Sequence, residues 1–173
     1  MNVGRPEADE IPAHFVGYIG KVPEGDPVAV LAAQIDVTAA LLRGVSDADA
    51  LKRYAPGKWS VKEVVGHLAD TERIMAYRAL RVARGDETPL PGFDENAYVP
   101  PAKFDARPLA ELISDFRTVR TATLALFKSF DAEAWRRRGT ASGKTISVRA
   151  LGYMIPGHER HHVEILKDRY GLR

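Results

Sequence analysis

The sequence predicts an all-α protein folded as a four-helix bundle. Three observations carry that prediction. Four long segments repeat apolar residues at three- and four-residue spacing, the period of one helical face. These segments open on capping residues or proline, and the last closes on glycine. No segment sustains the period-two alternation of a half-buried strand, and no internal repeat is visible.

Taken in order, residues 1–25 hold Pro6, Pro12, Pro23 and several glycines, and read as an irregular lead-in to a single domain over residues 26–173. Asp26 followed by Pro27 makes a helix start, an N-cap before a proline at the first helical position. This first helix is expected to reach about Arg43, with Val30, Leu31, Ile35, Thr38, Leu41 and Leu42 as its apolar side. A linker around Ser46–Tyr54 leads to Ser60 and Glu63, spaced as a capping box, which open a second helix to about Arg84. Its stripe of Val61, Val64, Val65, Leu68, Glu72, Met75, Ala79 and Val82 turns the Glu72 carboxylate toward the core. Residues 85–106 form the long break, with Pro89, Pro91, Pro100 and Pro101 around the stretch 92–98. Such a stretch inside a compact domain serves as a binding loop, or as the strap needed when neighbouring helices run parallel. A third helix spans about Pro108–Ser129, with Leu109, Leu112, Ile113, Phe116, Val119, Leu124 and Phe127 apolar. Asp131–Trp135 reads as a short helical turn and Thr140–Thr145 as a polar, glycine-containing loop. Ser147 caps a fourth helix, Val148–Tyr170, which Gly171 ends.

Composition narrows the function classes. Lys and Arg exceed Asp and Glu by only two, so no charge imbalance argues for nucleic acid or a membrane surface. The run Arg136-Arg137-Arg138 sits at a helix end, where it complements the dipole as a solvated terminus. The chain contains no cysteine, which excludes disulfides, thiolate metal sites and a cysteine nucleophile. Its first residues are polar and acidic, and no membrane-spanning run occurs, so a cytoplasmic protein is expected.

The histidines carry the chemistry. Three of the five fall in Gly157-His158-Glu159-Arg160-His161-His162. His158 and His162, four residues apart, share the inward face of the fourth helix with Leu151, Ile155 and Leu166, whereas His161 points about 100° away. Two imidazoles at this spacing are how a helix presents nitrogen ligands to a metal ion, and a metal is one way to satisfy both in a core. His67 on the second helix can supply a third ligand if the two helices pack side by side, although it lies about 100° from the centre of its apolar stripe. Three neutral nitrogens with an open position suit zinc, nickel or another borderline divalent ion. The letters HExxH also occur here, but the longer protease pattern HExxHxxGxxH would need glycine and histidine where Ile165 and Asp168 stand. A di-iron bundle would need a second Glu-x-x-His.

The segment Lys58-Trp59-Ser60-Val61-Lys62-Glu63-Val64-Val65-Gly66-His67-Leu68-Ala69-Asp70-Thr71-Glu72-Arg73, the loop Pro91-Gly92-Phe93-Asp94-Glu95-Asn96-Ala97-Tyr98 and the helix around His158-Glu159-Arg160-His161-His162 together resemble three signatures of the DinB-like superfamily. These are metal-binding four-helix bundles that include bacillithiol and mycothiol S-transferases. The resemblance runs from about residue 26 to the end. It implies His67, His158 and His162 as metal ligands, an up-down-down-up topology with a long crossover between the second and third helices, and homodimers. It further implies a metal-activated low-molecular-weight thiol as cosubstrate, attacking an electrophilic small molecule; other members are proposed hydrolases, for which metal-bound water is the nucleophile, and many have no known reaction. A non-catalytic, metal-binding stress-response bundle is the third reading. On the thiol reading, Asp94, Glu95 and Tyr98 are candidates to close over the site and bind the thiol's polar groups, and Glu159 lies beside the ligands as a candidate catalytic carboxylate. Pro156, inside the fourth helix, removes the hydrogen bond to the carbonyl of Gly152 and is expected to kink it.

Overall fold

The computed structural model describes residues 3–173. Helix α1 (Val16–Ile19) is short; the four long helices are α2 (Pro27–Leu41), α3 (Val61–Ala83), α5 (Leu109–Lys128) and α7 (Val148–Asp168). Between them lie the shorter α4 (Glu95–Ala102) and α6 (Ala132–Arg136), and strands β1 (Arg138–Ala141) and β2 (Lys144–Ser147).

The predicted starts form as the capping chemistry dictates. The Asp26 carboxylate accepts from the Val28 amide at 2.9 Å, with Pro27 at the first helical position. Ser60 and Glu63 close a reciprocal capping box on α3, at 3.0 Å and 2.7 Å. Ser147 accepts from the Ala150 amide at 3.0 Å to open α7. The start of α5 is capped from a distance: Asp47 accepts from the Leu109 amide at 2.7 Å.

The chain forms the four-helix bundle expected, in up-down-down-up order. Helix α3 packs against α5 and α7, and so does α2, so the consecutive helices α2 and α3 stand diagonally opposite. Tyr170, at the end of α7, donates to the carbonyl of Trp59 just before α3, which makes those two helices antiparallel. Tyr153 near the start of α7 donates to the carbonyl of Gly25 just before α2, which makes that pair parallel. Residues 84–108 are the crossover that lets α3 and α5 run parallel. Helix α7 continues through Pro156, whose carbonyl accepts from Gln34 of α2 at 3.0 Å.

Three segments differ from the sequence reading. Part of the long break is helical: the Asp94 side chain accepts from the Asn96 amide at 2.9 Å to start α4, and Lys103 ends it in the left-handed region. Its two prolines read as breakers because a two-turn helix has no periodic stripe to outweigh them. The loop at 140–145 is a hairpin turn. Ser142 and Gly143 both take positive φ (53° and 70°), the conformation that joins two strands in two residues, with Ala141 paired to Lys144. Four-residue strands are too short to declare an alternation. The lead-in is folded in short turns: Phe15, Ile19 and Val22 join the main core, and α1 packs on α7. Gly157 permits this approach, since a Cβ there would overlap the carbonyl of Tyr18. No helix of the described residues is long and apolar enough to cross a membrane.

Candidate metal centre

His67, on the first half of α3, and His158 and His162, one turn apart on α7, meet where the two helices pack. The Nε2 of His158 stands 3.0 Å from the Nε2 of His67 and 3.1 Å from that of His162. All three rings are buried, His67 with only 6% of its surface exposed, despite lying off the centre of its apolar stripe. The reason is that α3 is flanked by two helices, and so buries a wide arc rather than a stripe.

Burial holds all three imidazoles neutral. It pushes His67 down to about 4 and His158 and His162 well below the ordinary histidine value, with the neighbouring imidazoles adding to the shift on the latter two. A neutral ring nitrogen carries either one proton or one lone pair. His158 Nε2 faces two other ring nitrogens, so hydrogen bonding cannot satisfy both contacts with normal geometry. One cation accepting three lone pairs does satisfy them. Tetrahedral zinc bound at 2.0–2.1 Å separates its nitrogens by about 3.3 Å, within a few tenths of the two separations measured from His158 Nε2. The donor set therefore fits a divalent metal.

Surrounding residues fix the rings. Trp59 lies over His67 at 4.6 Å between ring centroids, and Tyr18 meets His158 edge-on at 5.4 Å. The Thr71 hydroxyl is 3.4 Å from His67 Nδ1, which turns Nε2 toward the other two rings. His162 Nδ1 is buried without a hydrogen-bond partner among the described residues. The three histidines line a cavity of about 230 Å³ that runs along α3 past Thr71, Met75 and Arg78, with Phe15, Tyr18 and Phe93 on its other walls.

The other candidates divide. Glu95 lines this cavity, but Asp94 and Tyr98 do not. The Asp94 side chain is engaged as the cap of α4, and Tyr98 is 48% exposed with its ring against Phe93 at 5.6 Å. Glu159 lies away from the cavity, on the opposite flank of α7. Its carboxylate accepts from Arg120 at 2.8 Å, from Gln34 at 2.7 Å and from Thr38. Arg120 also makes a two-point contact with Glu72, at 2.9 Å and 2.8 Å. Glu72 thus points inward as its stripe predicts, to an arginine rather than to a metal. His161 and His14, given no role from sequence, both border the cavity. Arg78 and Trp59 were not legible as site residues; only the three-turn spacing of Arg78 from His67 signals that they share a face.

A family model described as the DinB superfamily matches residues 31–166. The chain belongs to the DinB superfamily. Over 58 residues it is 33% identical to a candidate metal-dependent hydrolase of Oceanobacillus iheyensis. That stretch is 33% of each chain, so the match spans a third of the relative's length. In structure this DinB-superfamily chain is similar to YfiT from Bacillus subtilis, described as a probable metal-dependent hydrolase with an unusual four-helix bundle topology. The TM-score is 0.73 at 19% identity over the full length of both. It is also similar to a mycothiol-dependent maleylpyruvate isomerase, with a TM-score of 0.70 at 15% identity, covering 89% of this chain and 63% of that one. At such identities the two structures establish the shared fold.

Proposed function

We propose that this protein is a metal-dependent enzyme that transfers a low-molecular-weight thiol to an electrophilic small molecule, with His67, His158 and His162 holding a divalent ion, zinc or nickel. The observation that carries the reading is the convergence of three buried, neutral imidazole nitrogens at 3.0 Å and 3.1 Å beside a cavity of about 230 Å³. When bound, such an ion supplies a lowered pKa to a coordinated thiol or water.

The chain's own residues favour a thiol over water as nucleophile. Activating water calls for a well-placed proton acceptor. Glu159, the carboxylate nearest the ligands in sequence, is held by Arg120, Gln34 and Thr38 and faces away from the cavity. Glu95, which is exposed, is the carboxylate that remains beside the cavity, together with the imidazoles of His14 and His161, which stand outside the converging nitrogens. A thiol, with an ordinary pKa near 8.5, makes a smaller demand. The chain has no cysteine, so the sulfur must arrive on a cosubstrate. Phe15, Met75 and Phe93 give the cavity an apolar wall beside the histidines, and Trp59 with Tyr18 holds the histidine rings in place. The dependence on mycothiol in the name of one structural neighbour points the same way. Hydrolysis is the second reading, favoured by the names of the Oceanobacillus relative and of YfiT. A cytoplasmic location, a pairing of two copies and a small-molecule substrate belong to the same proposal.

Zinc-loaded and nickel-loaded protein incubated with monochlorobimane and a panel of cellular thiols gives the test. Thiol-dependent conjugation that disappears in His162→Ala is the expected result. Turnover of ester or amide substrates without any thiol rejects the transferase in favour of the hydrolase.

A further inference from the structure

Arg78 is buried, with 4% of its surface exposed, and no carboxylate pairs with it among the described residues. The other buried cations, Lys62 and Arg120, each have an acidic partner. Its Nη2 donates to the carbonyl of Pro91 at 2.8 Å and to the Ser142 hydroxyl at 3.2 Å. Among the described residues Nη1 meets only the Met75 sulfur, a weak acceptor, at 3.7 Å, and the guanidinium sits 5.6 Å from the centre of the Phe93 ring. Two of five N–H donors thus remain for another acceptor, and a third is held by a thioether. Burial pushes the guanidinium below its ordinary value, with no anion to offset it.

Tethering a loop to a helix requires a neutral donor, not a charge. A charge left unpaired in a cavity wall is costly unless an anion arrives to meet it. The tethers also make the group rigid. Pro91 follows Leu90, which exchanges two hydrogen bonds with the hairpin, at 2.9 Å with Thr140 and 3.0 Å with Ser142. The guanidinium is therefore held in position before anything binds, which favours recognition of a planar oxyanion.

Its place relative to the histidines sets the kind of molecule. Arg78 follows His67 by three turns on the same face of α3, about 16 Å of helix rise. Helical side chains lean toward the N-terminus, so this long side chain reaches back along the cavity toward His67 and shortens that span. Both residues line one continuous cavity.

We propose that Arg78 is a carboxylate-binding residue, and that the molecule reacting at the three histidines carries a carboxylate several bonds from its reacting atom. This rests on the proposed function for the site of reaction, but the binding of the anion does not.

Calorimetric titration of the full chain with the α,ω-diacids succinate, adipate, suberate and sebacate, each beside its neutral diamide, tests the proposal. Zinc-loaded protein is expected to bind one diacid length best and its diamide at least tenfold more weakly, a comparison that needs no variant. Arg78→Met is expected to lose that tenfold preference while keeping zinc stoichiometry, and Arg78→Lys to restore part of it, which a tether alone does not predict. Equal binding of diacid and diamide by the wild type, or an unchanged preference in a folded Arg78→Met protein, overturns the proposal. An Arg78-dependent preference in protein that takes up no zinc supports the anion site and separates it from a failure of the metal reading. Glutathione beside its diethyl ester tells the sources apart. An Arg78-dependent preference for the free acid places the carboxylate on the thiol; a preference confined to the diacids places it on the other substrate.

Discussion

Arg120 donates to Glu159 at 2.8 Å, one residue along the chain from the candidate ligand His158. The same guanidinium grips Glu72 on α3 and the carbonyl of Leu31 on α2 at 2.9 Å, so one buried arginine of α5 ties together all four long helices. Opposing carboxylates raise its already high pKa, against the downward pull of burial. Removing one partner of such a cluster leaves the others charged and unpaired. Arg120→Met is therefore expected to destabilise by about 3–5 kcal/mol, read from denaturant unfolding. The triple change Arg120→Met, Glu72→Gln, Glu159→Gln should recover part of that loss. A mild, additive effect of all three would show that the cluster is not acting as a unit.

Glu159→Gln in the folded protein is expected to lower stability and to leave the chemistry largely intact, because the carboxylate faces Arg120 and not the cavity. Comparing kcat with unfolding free energy for this variant decides the point. A loss of kcat by a hundredfold or more at unchanged stability would return Glu159 to the catalytic machinery.

Gly157→Ala gives a sign reversal. In an exposed helix interior, replacing glycine by alanine stabilises by about 1 kcal/mol. Here the added methyl overlaps the backbone carbonyl of Tyr18, which cannot move without shifting α1. Overpacking of this kind costs about 1–3 kcal/mol, and it is expected to lift α1 from α7, exposing residues 13–19 to limited proteolysis. Stabilisation by this substitution would show that α1 does not seat on α7.

What the sequence disclosed and what it hid follow one physical line. Caps, stripes and the four-residue spacing of His158 and His162 are local, so Asp26, Ser60, Ser147 and the two imidazoles could be read directly. Placing His67 needed the knowledge that α3 is covered on two sides, which periodicity along one helix does not contain. Arg78, Arg120 and Glu10 were illegible for a related reason. An isolated charge reads as a solvated group until the chain brings its partners or its cavity from far away, as Pro91 and Ser142 are brought to Arg78 and Arg149 to Glu10.

Glu10 and His67 predict acid lability in two pH windows. Glu10 is 2% exposed; burial raises its pKa, but hydrogen bonds from Arg149 and Ser147 outweigh that and hold it at about 2. The folded value lies below the unfolded one, so its contribution is present above about pH 4.5 and is lost as pH falls toward 2, at most about 3 kcal/mol. His67 is held at about 4 by burial, so the unfolded chain takes up a proton first, and metal-free protein loses a comparable amount between about pH 6.5 and 4. Stability measured against pH should therefore fall in both windows. Glu10→Gln should lie below the wild type at neutral pH and converge with it toward pH 2. A constant gap across that range would count against the assignment.

Metal removal separates the three candidate ligands from their neighbour. An ion bound only by the folded state adds about 2.7 kcal/mol when present at a hundredfold over its Kd. For a chain of this length that corresponds to a rise of about 5–10 °C in Tm. Chelator-treated protein is expected to regain this increment on adding zinc, with one ion per chain by metal analysis. His67→Ala, His158→Ala and His162→Ala should each abolish both the increment and the stoichiometric uptake. His161 borders the cavity but stands outside the converging nitrogens, so His161→Ala should keep both. Equal uptake by all four variants would mean that the ion binds elsewhere, and that the three imidazoles meet in the core without it.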